Sequence, residues 1–286
     1  MRKFYLILLL FIAPAYFAQT NFEFLPSGLN FLPLRANNQE AKMGVLYYPN
    51  NNNLKLDIGN SVDLLSFQFP QTESKLNLGI EFMAYAKVIG YQQQRLQIDA
   101  IDGLFGGNLT YLKKYSSNSL SFRLRVIHNS AHLVDGDWFA TSFPFYWSKP
   151  GGPMLFTKDF IELIAAHILA MPYYNIRYYG GPAYAYRVRP SALQRFSGCF
   201  GLEVNSDKIF GEVFEKPANI FIASHFNLAG VPKYSLSNQT QLGVKFGNWN
   251  GKGINFYLSY FTGNDFFGEY YNVRVSKFGI GFMVDF

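Results

Sequence analysis

Between Ser121 and Trp138 the chain reads SFRLRVIHNSAHLVDGDW, which places His128, Ser130, His132, Asp135 and Asp137 within ten residues. Only four histidines occur among 286 residues, so two of them beside one serine is a marked concentration of reactive groups. The residue types suit nucleophilic acyl transfer. A histidine within reach of a serine can take its proton, and a third group orients that histidine. Asp135 or Asp137, just past the periodic stretch, is the candidate orienting group. On an extended strand, residues two apart share a face at ~6.5–7 Å between α-carbons, so His128 and His132 each flank Ser130. The same geometry puts the two histidines ~13 Å apart, too far to share one metal ion without help from another strand. No metal and no other cofactor is expected.

The elements that hold this cluster are read from the alternation around it. The last ten residues, KFGIGFMVDF, set Phe278, Ile280, Phe282, Val284 and Phe286 against Gly279, Gly281, Met283 and Asp285. An extended strand sends these two sets to opposite faces. The pattern recurs: Leu76, Leu78, Ile80 and Phe82 oppose Asn77 and Glu81, and Ile254, Phe256, Leu258 and Tyr260 oppose Asn255 and Ser259. Apolar positions facing lipid against polar positions facing a lumen predict an all-β fold, a transmembrane antiparallel β-barrel. Only a closed barrel satisfies every strand's backbone groups in hydrocarbon. Turn-forming stretches such as YPNNNN, PQTESK, KKYSSNS and NWNGKG divide the chain into about twelve strands, with ten to fourteen compatible. They are expected near 43–49, 54–69, 76–89, 96–113, 119–133, 158–171, 173–188, 193–205, 218–229, 236–246, 254–262 and 273–286. The segment FIELIAAHILAM, Phe160 to Met171, also suits a buried helix, which would break the even count.

Composition agrees with this class. The chain is 19% aromatic and only 15% charged, with 30 Phe and 20 Tyr, whereas soluble domains carry about 25% charge. Its N-terminus, MRKFYLILLLFIAPAYFAQT, has the basic, apolar and small-residue layout of a secretory signal peptide over residues 1–18. Residues 19–42 lack clean alternation and are expected as a periplasmic segment or a plug, leaving 43–286 as the barrel. Without Arg2 and Lys3 the chain has 23 basic against 19 acidic residues, a net charge of +4. That mild, unclustered excess excludes a nucleic-acid partner. The single cysteine, Cys199, excludes an internal disulfide framework.

Parity then orients the opening cluster. Arg123 and Arg125 share the odd face with Asn129, and Phe122, Leu124 and Val126 share the even one. An Arg facing lipid near the midplane costs ~2–4 kcal/mol, so the odd face is the lumen. His128, Ser130 and His132 therefore face lipid, unless a bulge shifts the register by one residue. With both termini in the periplasm, the fifth strand runs outward, so the cluster lies at its outer end, below the longest loop. The same parity assigns Arg177, Arg187 and Arg189 to the lumen.

Two resemblances follow from these residues. His128-Asn129-Ser130 resembles the His-x-Ser element that outer-membrane phospholipase A and the lipid A deacylases carry on the outer wall of a barrel. That resemblance implies His128 as base and Ser130 as nucleophile. Those families continue with Asn directly after the Ser, whereas Ala131 and His132 follow here. The stretches FLPSGLNFLPLRANNQEAKMGV, RLRVIHNSAHLVDGD, YNIRYYGG and NDFFGEYYNVRVSKFGIGFMVDF together resemble a family of bacterial outer-membrane barrels of unknown function. Its signature is Arg-x-x-His-x-Ser-x-His-Leu-x-Asp, here Arg125, His128, Ser130, His132, Leu133 and Asp135. Val134 and Gly136 depart from that family's pattern, with Asp137 one position late.

Three functional readings remain open. One is hydrolysis of acyl esters in outer-leaflet lipid. Another is a barrel that binds lipopolysaccharide or serves a structural role. The last is a narrow anion-preferring channel lined by Arg123, Arg125, Arg177, Arg187 and Arg189, unless carboxylates such as Glu81, Asp99 and Glu203 neutralise them. The expected location is the bacterial outer membrane. The expected partners are its lipid or lipopolysaccharide and, through the final strand ending in Phe286, the barrel-assembly machinery.

Overall fold

The computed structural model describes residues 20–91, 95–134, 138–139, 146–147, 152 and 154–286. Asp135 and Asp137, most of the long loop, and residues 1–19 lie outside these described residues.

Twelve antiparallel strands form the wall: β1 (Met43–Tyr48), β2 (Asn53–Phe69), β3 (Ser74–Tyr91), β4 (Arg95–Lys114), β5 (Asn118–Leu133), β6 (Phe156–Ala170), β7 (Asn175–Arg189), β8 (Phe196–Ser206), β9 (Lys216–Gly230), β10 (Tyr234–Gly247), β11 (Gly253–Asn264) and β12 (Arg274–Asp285). Each pairs with its neighbour in sequence, and β12 pairs with β1 to close the barrel. Phe160–Met171 is no helix: all of it but Met171 belongs to β6, so the even strand count holds. Its sequence explains why. Phe160, Glu162, Ile164 and Ala166 are buried, whereas Ile161 and Leu163 are exposed to lipid, a period of two rather than 3.6.

The same alternation runs round the wall. Phe122, Leu124 and Val126 of β5, Ile254, Phe256 and Leu258 of β11, and Phe278, Ile280 and Phe282 of β12 form the exposed apolar band. Glycine on the inner face of β12 makes room for the lumen. A Cβ at Gly281 would stand 2.7 Å from the Tyr257 ring, inside the contact limit of a packed interior.

The N-terminal segment interrupts the wall. Asn21–Phe24 pairs with Leu65–Gln68 of β2, in line with β1 but lower on the same edge. Leu25, at φ 51°, then turns the chain inward, a conformation that non-glycine residues seldom adopt. Residues 25–42 run through the lumen before the chain rejoins the wall as β1. Phe31, Leu34, Ala36, Glu40 and Ala41 are buried there. Phe31 lies 4.7 Å beneath each of the Arg123 and Arg177 guanidinium groups.

Candidate functional site on the outer wall

On β5 the predicted parity holds: Arg123, Arg125, Ile127 and Asn129 point inward, and His128, Ser130 and His132 point outward. Register supplies their neighbours. His128 stands opposite Phe105 of β4 and Asp159 of β6, and Ser130 stands opposite Gly103 and Thr157. His128 Nδ1 and Asp159 Oδ1 are 2.6 Å apart, a short charge-assisted contact. The Phe105 ring covers the imidazole at 4.9 Å between centroids. Gly103 has open space where a side chain would stand, so the wall is dented beside the Ser130 hydroxyl.

Asp159 is therefore the carboxylate that the described residues bring to His128, with Asp135 and Asp137 lying outside them. It is buried although it faces outward, because His128 and Arg187 flank it. The signal was in the sequence. In FTKDFIEL, an aspartate shares the odd, lipid-facing set with Ile161 and Leu163, where an unpaired charge is costly. His132 is exposed, opposite Ile101, and makes no described contact with His128 or Ser130. Nε2 of His128 and Oγ of Ser130 are not hydrogen-bonded to each other among the described residues. Catalytic pairs are often long before substrate binds.

Arg187 and Arg189 correct the sequence parity. The β6–β7 register shifts between Ala185 and Arg187, leaving Tyr186 as an extra residue. Such a bulge turns the following side chains to the other face. Val188 now packs in the inner core, and Arg187 and Arg189 project outward. Arg187 Nη1 lies 3.6 Å from Asp159 Oδ2. Arg195 fixes the bulge by donating from Nη1 to the carbonyls of Ala185 and Tyr186, at 3.2 and 2.7 Å.

The three inward arginines are paired. Arg123 grips Glu40 of the lumenal segment at 2.7 and 2.6 Å, and Arg125 grips Glu162 at 2.6 and 3.2 Å and also reaches Glu81. Arg177 pairs with Glu203 and donates to the Leu32 carbonyl. Asp99 serves Lys87 rather than an arginine. Among the described residues, no three His, Cys, Asp or Glu side chains cluster as a metal site.

A closed antiparallel barrel with an apolar outer band and a filled polar interior is an outer-membrane protein by fold. The chain belongs to the family described as Protein of unknown function (DUF1207), whose model matches residues 17–286. No curated protein matches it in sequence. Among solved structures it is similar to the outer membrane phospholipase A from Escherichia coli, at TM-score 0.50 and 11% identity over 87% of this chain and 93% of that one. It is also similar to the Salmonella typhi outer membrane phospholipase dimer with bound calcium, at TM-score 0.46 and 11% identity over 86% and 90%. The beta domain of the Bordetella autotransporter BrkA matches at TM-score 0.45 and 11% identity over 86% and 97%. At such identities the likeness to the Escherichia coli protein shows a shared fold alone.

Proposed function

We propose that the protein is a serine hydrolase of acyl esters in outer-leaflet lipid, with Ser130 as nucleophile, His128 as base and Asp159 as the group that orients His128. The 2.6 Å contact between His128 Nδ1 and Asp159 carries the reading, because it leaves Nε2 as the ring nitrogen available to Ser130. Ser130 Oγ attacks the ester carbonyl carbon while His128 Nε2 takes the hydroxyl proton. The intermediate collapses to an acyl-serine, and His128 returns the proton to the departing alcohol. Water, deprotonated by His128, then attacks the acyl-serine, and the fatty acid leaves as Ser130 regains its proton. The buried Asp159 carboxylate stabilises the transient imidazolium. The dent at Gly103 offers room for the scissile ester beside Ser130. Arg187 and Arg189 stand at the level where a lipid phosphate would lie.

Two results are expected. An alkyl fluorophosphonate, whose phosphorus Ser130 Oγ attacks with loss of fluoride, labels the detergent-solubilised protein at Ser130 in a peptide map. Labelling absent from Ser130, or present equally in His128→Asn, overturns the assignment. Asp159→Ala slows ester hydrolysis by about 10²–10⁴-fold, with KM little changed. An unaltered rate removes Asp159 from the reaction.

The outward cations Arg187, Arg189 and Arg195 favour a second reading, a barrel that binds lipopolysaccharide phosphates without turnover. The pairing of Arg123, Arg125 and Arg177 with carboxylates argues against an anion channel. Recognition by the barrel-assembly machinery would run through β12 and Phe286.

A further inference from the structure

The wall has a slot. Only Asn53–Asp57 of β2 pair with β1, and only Leu65–Gln68 pair with Asn21–Phe24. Between them, no strand of the described residues pairs with Ile58–Leu64 on that side. Across the slot, β12 loses its partner at Val284, the residue paired with Met43 at the foot of β1. Ile58, Val62 and Met43 on one flank, and Phe282 and Phe286 on the other, are exposed apolar residues, which sets the slot at the level of the hydrocarbon.

An open strand edge in hydrocarbon is normally forbidden, since its backbone groups have nothing to bond. Here local groups take over. The Ser61 N–H donates to Asn60 Oδ1 at 2.8 Å, and Leu25 N–H donates to the Leu64 carbonyl at 2.9 Å. Asp63 turns its carboxylate inward to accept Asn30 N–H from the lumenal segment at 2.8 Å. Asn60 would otherwise be an unexplained polar residue between Ile58 and Val62 on the outer face. Its amide oxygen instead accepts the Ser61 N–H.

Behind the slot lies a cavity of about 340 Å³, open at its mouth. Leu29, Leu32 and Leu34 of the lumenal segment line it, with Met283, Val284 and Phe286 from the end of β12. At its charged inner end Arg35 and Lys245 share the Asp285 carboxylate, at 2.8 and 2.6 Å. Apart from Lys42, bonded to the Asn37 carbonyl, and Lys252 on an exposed turn, the lining beside the apolar flanks of the slot is mainly aliphatic, which fits a hydrocarbon tail.

We propose that this slot is a lateral entrance through which the acyl chain of a bilayer lipid occupies the chamber between the wall and the lumenal segment. The site is formed by β2, β12 and residues 26–35, apart from β5 and β6. It stands whether or not Ser130 is catalytic.

The test uses the full-length protein in nanodiscs of phosphatidylcholine doped with a phosphatidylcholine that carries a diazirine in one acyl tail. After photolysis, peptide mapping is expected to find adducts on Leu29 and Leu32, inside the wall, as well as on outward residues such as Ile222 and Leu258. The variant Leu29→Glu places a carboxylate in the chamber and lowers labelling of Leu32 by about tenfold, while Leu258 labels as before. Adducts confined to the outward residues overturn the proposal, and Leu258 shows that the probe reached the protein. Equal labelling of Leu32 in both forms also overturns it.

Discussion

Fatty-acid release from reconstituted phospholipid falls by about a thousandfold or more when Ser130 is replaced by Ala. The substitution removes one oxygen that has no partner among the described residues, on an outward and half-buried face. No described residue bonds that oxygen, so the variant should keep the wild-type heat-dependent mobility on gels, and a loss of rate then reports chemistry. His128→Asn is expected to lose as much, and the double variant no more than either alone, because nucleophile and base act as one unit. His132→Ala is expected to retain most activity, since His132 touches neither partner. Hydrolysis that survives in Ser130→Ala, or a wild-type protein without hydrolysis in outer-membrane-like lipid, sinks the enzyme reading and leaves the lipopolysaccharide-binding one.

The second large effect lies in the lumen. Glu40→Gln is expected to destabilise the barrel by roughly 3 kcal/mol, because removing one partner of a buried ion pair strands the other. Glu40 is 2% exposed and takes two hydrogen bonds from Arg123. Glu162, 3.4 Å from Arg123, softens the loss. Denaturant unfolding in detergent micelles measures it. The same residue sets an acid limit. Burial alone would raise its carboxyl, but Arg123 and Arg125 outweigh burial and hold it down to about 2, against 4.5 when free. A carboxyl depressed on folding adds stability above its unfolded value, and that stability disappears as pH falls from 4.5 towards 2. Across that window the wild type should lose its advantage over Glu40→Gln. A gap that stays constant with pH excludes Glu40 as the lumenal anchor.

How much of this was legible depended on whether the signal was local. Strand period and lipid exclusion act residue by residue, so Arg123 and Arg125 inward and His128 and Ser130 outward could be read from β5 by itself. Asp159 obeys the same rule on β6, but it becomes meaningful only once register sets it opposite His128, and register is a property of two strands. The bulge at Tyr186 had no sequence marker. Tyr184, Tyr186, Arg187 and Arg189 alternate as smoothly as Phe122 to Arg125 do, and the shift rests on Arg195 holding carbonyls nine and ten residues away. The grip of Arg123 on Glu40 spans 83 residues, beyond any periodicity. The slot was hidden for a related reason, since NFEF is too short to be recognised as a wall strand, and only its pairing with β2 shows the wall to be interrupted.

That interruption also governs how the molecule can be assembled. The lumenal segment is stitched into the wall at both ends, through Asn21–Phe24 below and β1 above. A filling attached by one tether can be drawn out of a finished pore, but one attached by two becomes a closed loop that cannot leave while the strands hold. The contact that closes the wall, β1 with β12, spans just five residue pairs, and the one that holds Asn21–Phe24 on β2 spans four. Emptying the closed barrel therefore requires breaking one of two short contacts first, Asn21–Phe24 with β2 or β1 with β12.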